Sequence, residues 1–173
     1  NNPIHKDMLF AAKAAKLEFI LNVVINSQKK VIKAFAGDLE QAHAHGCALV
    51  KDIAEVIIVV SADSIEQNKI RGDLGITYDE ETLRLKKEFE KRGFIVSGIV
   101  ITQYKHQAAA DKFNAKCKNL GIKTYLHYVI QGYPGNIPLI VSDDGYGRND
   151  YIATQRKLCV ITAPGPGSGK MAT

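Results

Sequence analysis

The segment Thr162-Ala-Pro164-Gly165-Pro-Gly167-Ser168-Gly169-Lys170 follows directly on the apolar run Leu158–Ile161. A glycine-rich loop placed behind a strand and ahead of a lysine is the outline of a phosphate cradle. Without Cβ atoms, successive backbone N–H groups can converge on one anion, and the lysine adds a point charge. The expected phosphate-binding set is the N–H groups of Gly165, Gly167, Ser168 and Gly169 with the ammonium of Lys170. The full pattern G-x-x-x-x-G-K-[ST] is not met, because Pro164 stands at the first glycine and Met171 at the Mg²⁺-binding hydroxyl. Phosphate binding is therefore expected, and nucleotide hydrolysis of the Walker type is not. A tight structural turn is the competing reading of the same glycines.

Asp143 and Asp144 follow the apolar run Leu139-Ile-Val. An apolar run ending in aspartate can position Mg²⁺ at a phosphoryl-transfer site, whereas aspartates ahead of a glycine such as Gly145 equally serve to form turns. Arg71, Asp73, Tyr146 and Asn149 are candidates for the rim of a site, with an Arg71–Asp73 pair that simply pins its loop as the commoner use. His43 and His45 lie two apart in a stretch read as helix, where they do not share a face. His106 and His127 are read as core or surface residues, and Cys159 as a small buried hydrophobe. There is no G-x-S-x-G elbow and no Cys–His pairing by spacing.

The elements that must position these residues alternate. A helix is expected over 6–16, a strand over 17–25 and a mostly helical segment over 29–54. Glu55–Val60 is a continuous apolar, β-branched run of the kind buried on both faces of a parallel sheet, and Asp63 with Glu66 forms a cap-like pair opening a short helix. Thr77 and Glu80 make a capping box for a helix that runs to Arg92 and closes at Gly93. A strand over 94–101, a helix over 106–120 ended by Gly121, and strands over 122–130, 138–142 and 157–162 complete the pattern. Strands alternating with helices of about a dozen residues predict an α/β fold with a doubly wound, mainly parallel sheet, Rossmann-like and three-layered, ending in the P-loop-like glycine loop. Residues 1–54 form an entry segment and 55–173 the Rossmann-like region of one domain. In such sheets ligands bind outside the carboxyl ends of the strands. Ser61–Asp63, Thr102–Tyr104, Ser142–Gly147 and Thr162–Lys170 should then share one rim.

Composition narrows the function classes. At 173 residues, 46% of them hydrophobic and 24% charged, the chain can bury a sizeable core. No apolar run approaches the roughly 20 residues that span a bilayer, so no membrane partner is expected. Three scattered cysteines, Cys47, Cys117 and Cys159, suggest neither a disulfide framework nor a zinc site and fit a reducing cytoplasm. The net charge of +5 is spread out: Lys86, Lys87, Lys91 and Arg92 alternate with Glu80, Glu81, Glu88 and Glu90 on one helix. That mixed face, without interleaved aromatic residues, argues against nucleic acid. A chain that begins Asn1-Asn2-Pro3 and stops just past Lys170 is expected to be an amino-terminal piece of a longer one.

Several motifs occur together and in order: Ile65-Glu-Gln-Asn68-Lys-Ile-Arg71-Gly-Asp73-Leu-Gly75-Ile-Thr77-Tyr-Asp79, Val100-Ile-Thr-Gln-Tyr104, Gly132-Tyr-Pro134, Ile140 through Ile152, and Thr162 through Thr173. In these the chain resembles the bacterial family known as domain of unknown function 1846. The likeness runs from near Val56 to the end, while upstream an F-G-G-K-like loop is only echoed by Lys33–Asp38. The resemblance implies chains of several hundred residues that continue past the Gly-Lys loop. Some relatives carry a label of ATP-dependent peptidase, yet the residues here supply no protease nucleophile, base or metal set. The expected function is binding of a small phosphorylated ligand, such as ATP or another nucleotide. Mg²⁺-dependent phosphoryl transfer or ligation is one outcome, and a non-catalytic anion-binding or structural module is the alternative.

Overall fold

The computed structural model describes residues 21–25, 30–34, 53–170 and 173. Strands β1 (Leu21–Ile25), β2 (Lys30–Ala34), β3 (Ala54–Ser61), β6 (Ile95–Tyr104), β7 (Thr124–Tyr128) and β8 (Leu158–Thr162) form one sheet in the order β1-β2-β8-β3-β6-β7. From β2 to β7 every neighbouring pair is parallel, and β1 runs antiparallel to β2. Between β3 and β6 lie α1 (Ala62–Glu66), the small hairpin β4 (Ile70–Arg71) and β5 (Ile76–Thr77), and α2 (Tyr78–Lys91). Helix α3 (Ala108–Asn119) connects β6 to β7, and the short α4 (Ile137–Ile140) follows β7.

Every residue of β3 is buried. Because strand side chains alternate, Val56, Ile58 and Val60 face α1–α3 and pack with Ile65, Leu85, Phe89 and Phe113. Ile57 and Val59 face the other way, into a second cluster with Val100, Tyr125, Cys159 and Ile161, against which Ile152 packs. Burial on both faces explains the unbroken apolar run. Gly98 makes room on this second face, since a Cβ there would lie 2.7 Å from the Tyr125 ring. Among the described residues all three longer connecting helices cover one face, so the α/β class is as expected while a second helical layer is not among them. The strand order does reverse: β6 and β7 extend one side of β3, and the chain then returns to set β8 on the other. The carboxyl ends of β3 and β8 therefore flank a topological switch point.

Local signals hold where they are self-contained. The Thr77 N–H donates to Glu80 Oε2 at 3.3 Å as the capping box requires, and α2 gives way to Gly93 at φ 82°. Three expectations need correction. Lys30–Ala34, inside the segment read as helical, is a strand paired parallel with β8, because its Val-Ile pair finds a sheet partner more than a hundred residues away. Residues 138–142 do not form a strand. Asn136 Oδ1 accepts the Leu139 N–H at 3.3 Å, and Pro138, which has no N–H for a ladder, sits in the first turn of α4. The cap of α1 is Ser61, whose Oγ accepts the Ser64 N–H at 3.4 Å, and not the Asp63–Glu66 pair. The helix expected at 6–16, His43, His45, Cys47 and the remainder of 29–54 up to residue 52 lie outside the described residues, and Ala54 already belongs to β3.

Candidate functional site

The carboxyl ends of β3, β6 and β7 open onto a cleft of about 500 Å³. Strand β6 supplies Thr102, whose Oγ1 donates to the Ser168 carbonyl at 2.8 Å and so ties the glycine-rich loop to the carboxyl end of that strand. The contact is close: a Cβ on Gly169, which has φ 79°, would lie 2.8 Å from Thr102 Oγ1. Gly169 lines the cleft beside Thr102.

The β6–α3 loop forms one wall. Gln103 and His106 adopt left-handed backbone conformations, φ 53° and 64°, that cost non-glycine residues energy and persist only where the surroundings impose them. They are imposed by a network. Ser61 Oγ donates to Gln103 Oε1 at 2.5 Å, Gln107 Nε2 donates to Asp63 Oδ1 at 2.7 Å and to the Gln103 carbonyl at 2.9 Å, and Gln107 Oε1 accepts the Lys105 N–H at 2.8 Å. Between the two strained residues, Lys105 enters the cleft with its side chain 60% exposed and its ammonium 3.1 Å from Asp63 Oδ1. Burial alone would raise the Asp63 carboxyl, but the hydrogen bonds from Gln107 and Lys105 and the ammonium's charge bring it below its ordinary value.

The other wall is β7 with the segment that follows α4. Asp150 and Asn149 lie along the outer edge of β7: the Leu126 N–H donates to Asp150 Oδ2 and the Tyr128 N–H to Asn149 Oδ1, both at 2.8 Å, while the Asp150 N–H donates to the Leu126 carbonyl at 3.1 Å. This side-chain pairing brings Tyr146 and Asn149 to the cleft, which Tyr133 also lines. The Arg148 guanidinium stacks 4.5 Å above the ring of Tyr128, which packs edge-on against Tyr104. The Tyr104 hydroxyl donates to Asp111, and that bond, with burial and the negative charge, pushes its pKa up to about 12. His127, 8% exposed, lines the cleft with Nε2 3.2 Å from the Asp150 carbonyl and with a buried Nδ1 that has no partner among the described residues. Burial lowers its pKa from 6.5.

The glycine loop is folded on itself. Ser168 Oγ and Lys170 Nζ both donate to the Gly165 carbonyl, at 2.8 and 3.0 Å, and Lys170 is 7% exposed. A Cβ on Gly165 would lie 2.2 Å from the Tyr78 hydroxyl, so close packing against α2 already demands glycine there. None of the N–H groups of Gly165, Gly167, Ser168 and Gly169 donates to a backbone carbonyl of the described residues. Of the five expected phosphate ligands, Gly169 is the one that lines the cleft.

The remaining expected site residues divide. Tyr146 and Asn149 reach the cleft; Arg71 and Asp73 do not. Arg71 pairs with Asp73 at 2.8 Å and with Glu81 at 2.5 Å, Glu81 being fully buried and also held by Arg84 at 2.6 Å, so this cluster fastens the β4–β5 hairpin to α2. Asp143 and Asp144 stand on an exposed turn behind α4, since the strand expected to present them is that helix. Among the described residues no group of three or more His, Cys, Asp or Glu is disposed to hold a metal, and no helix is long and apolar enough to cross a membrane. Sequence reasoning missed Lys105, His127, Tyr128 and Tyr133. The available signal was the polar end of β6, Thr102-Gln103-Tyr104, which Lys105 directly follows.

Fold and site together define an α/β protein with an open cleft at the carboxyl edge of a parallel sheet. The chain belongs to the family described as domain of unknown function DUF1846, N-terminal, which matches residues 21–173 and so reaches farther upstream than the motifs alone. It is 56% identical over 124 residues to a UPF0371 protein of Streptococcus equi subsp. equi, and 53% identical over the same length to UPF0371 proteins of Streptococcus uberis and Streptococcus pneumoniae. Each match covers 72% of this chain and 25% of the relative, so the chain spans about a quarter of the length of these curated relatives.

Proposed function

We propose that the cleft binds a small phosphorylated ligand, with a nucleotide as its leading form. The observation that carries this reading is the tether from Thr102 Oγ1 to the Ser168 carbonyl, which holds the glycine-rich loop, with Gly169 lining the cleft, against the rim where Lys105 offers an exposed side chain. Anions favour the backbone donors of such a loop, and the rings of Tyr128, Tyr133 and Tyr146 offer apolar, stacking surface for the rest of the ligand. Because Gly165 gathers both Ser168 Oγ–H and Lys170 onto its carbonyl, Lys170 acts in this proposal by shaping the loop while Lys105 meets the ligand. Mg²⁺ would arrive with the phosphates and keep mainly ligand oxygens and water, an arrangement that suits this ion. The packing of Gly165 against Tyr78 favours a second reading, in which the loop is wholly structural.

Thermal stability of the full-length protein, scanned against inorganic phosphate and nucleotides with and without Mg²⁺, separates the two. A ligand at about 100 times its dissociation constant stabilises by roughly 2.7 kcal/mol. A shift that Lys105→Ala diminishes and Lys170→Ala diminishes or abolishes supports the cleft. The absence of a shift with every phosphorylated ligand leaves the structural loop.

A further inference from the structure

From Val129 to Ser142 the chain carries no charged residue, although 24% of the whole sequence is charged. Within this stretch α4 reads Ile137-Pro-Leu-Ile140, apolar throughout, and none of its residues is buried. Ile137 is 65% exposed and Val141, just behind the helix, 75%. Of the ten large apolar side chains exposed among the described residues, six fall between positions 129 and 151: Val129, Tyr133, Ile137, Val141, Tyr146 and Tyr151. Single exposed apolar residues are ordinary on a protein surface, whereas a concentration of them marks a surface made for contact.

This face is continuous with the cleft. Helix α4 starts directly behind the turn that holds Tyr133, where the Asn136 N–H donates to the Gly132 carbonyl at 2.9 Å. After α4 the chain folds back so tightly that Gly145 has no room for a Cβ beside the Leu139 and Ile140 carbonyls. Tyr133 and Tyr146, which bracket the helix, both line the cleft, as do Val129 and Ile130.

We propose that this face is an interface inside the full-length protein, covered by the region of the chain that follows residue 173, so that the cleft opens at a boundary between two domains. The matching family model is the N-terminal one, and the chain spans about a quarter of the length of its curated relatives. A region of that size needs a surface to pack on, and the core of an interface is depleted of charge. Helix α2 carries the ion pairs Lys86–Glu90, Lys91–Glu88 and Arg92–Glu88, which suit water; the uncharged stretch around α4 suits a covering domain. Clefts for small ligands occur preferentially at such boundaries. The inference stands apart from the phosphorylated-ligand reading and holds whatever the cleft binds.

The test is hydroxyl-radical footprinting of the full-length protein, with each residue's rate normalised to that in the unfolded chain. Ile137 and Val141 should be modified severalfold more slowly than Ile70 and Leu120, which are 59% and 60% exposed on β4 and behind α3. A benzophenone attached through Gln131→Cys, or separately through Asp143→Cys, exposed polar positions flanking the apolar run, then identifies the cover. Monomer-sized photocross-links should join these positions to residues beyond 173. Rates at Ile137 and Val141 equal to those at Ile70 and Leu120 show a bare face and overturn the proposal, and this reading needs no substitution. Cross-links between two chains would assign the face to a second copy, and cross-links confined to residues 1–52 would assign it to the entry segment. Either result overturns the proposal, as does protection with no cross-link beyond residue 173.

Discussion

Glu55 and His127 are both buried polar side chains on the same sheet, one at the amino ends of the strands and one near the carboxyl ends. Glu55, 1% exposed, accepts Ser97 Oγ–H at 2.5 Å and the Arg156 N–H at 2.9 Å, so its carboxylate joins β3, β6 and the approach to β8. Around His127 the pattern is reversed. Among the described residues its Nδ1 lacks a partner, as does the nearby Tyr125 hydroxyl, and Gln103 and His106 hold strained backbones. A buried polar group without a partner is costly, so the amino end of the sheet spends its polar groups on the fold, and the carboxyl end is where the binding proposed above would draw on them.

If that contrast holds, substitutions at the two ends should separate stability from binding. The largest effect is expected for Glu55→Leu, which strands the Ser97 hydroxyl and the Arg156 N–H: a loss of about 2–4 kcal/mol in urea denaturation, with ligand affinity unchanged. Thr102→Val removes the tether to Ser168 and should cost about 1 kcal/mol while also weakening ligand binding; unaltered binding would disconnect the loop from the cleft. For Lys105→Ala, stability should stay within about 0.5 kcal/mol, because the pair with Asp63 is largely exposed, while phosphate affinity falls severalfold. The smallest effect is on pH. With its pKa lowered by burial, folded His127 resists the proton that the unfolded chain accepts near 6.5. Its contribution is therefore fully present above that pH and is lost as pH falls through the folded value. Titrating stability from pH 7.5 to 5 should show the decline in the wild type and a shallower one in His127→Gln.

What could be read in the sequence was whatever depends on near neighbours. The Thr77–Glu80 box lies three residues apart, Gly93 and Gly121 close their helices with φ 82° and 70°, and the apolar runs of β3 and β8 announce themselves. Thr102 lines the cleft from the end of β6, as the carboxyl-edge rule expects, whereas Tyr146 and Asn149 reach it through the side-chain pairing of Asn149 and Asp150 with β7 and not from a strand end. The failures involve longer reach or competing local chemistry. Lys30–Ala34 became a strand through a register with Leu158–Ile161, and Ile137–Ile140 became a helical turn because Asn136 and Pro138 outweighed the apolar run. Arg71 was drawn to the buried Glu81, which no spacing of Arg-Gly-Asp discloses. His127 reaches the cleft only because β7 pairs with β6 in a particular register.

The pairing of Asn149 and Asp150 with β7 also bears on how the molecule behaves in a crowd. An outermost strand ordinarily displays a row of open N–H groups that another chain can adopt as a template. Here the outward donors of Leu126 and Tyr128 are already taken by a carboxylate and an amide, which occupy the edge without offering a further strand to extend it. Paired replacement of Asn149 and Asp150 by alanine would bare those donors, and its first symptom would be self-association at high concentration, ahead of any loss of the folded state.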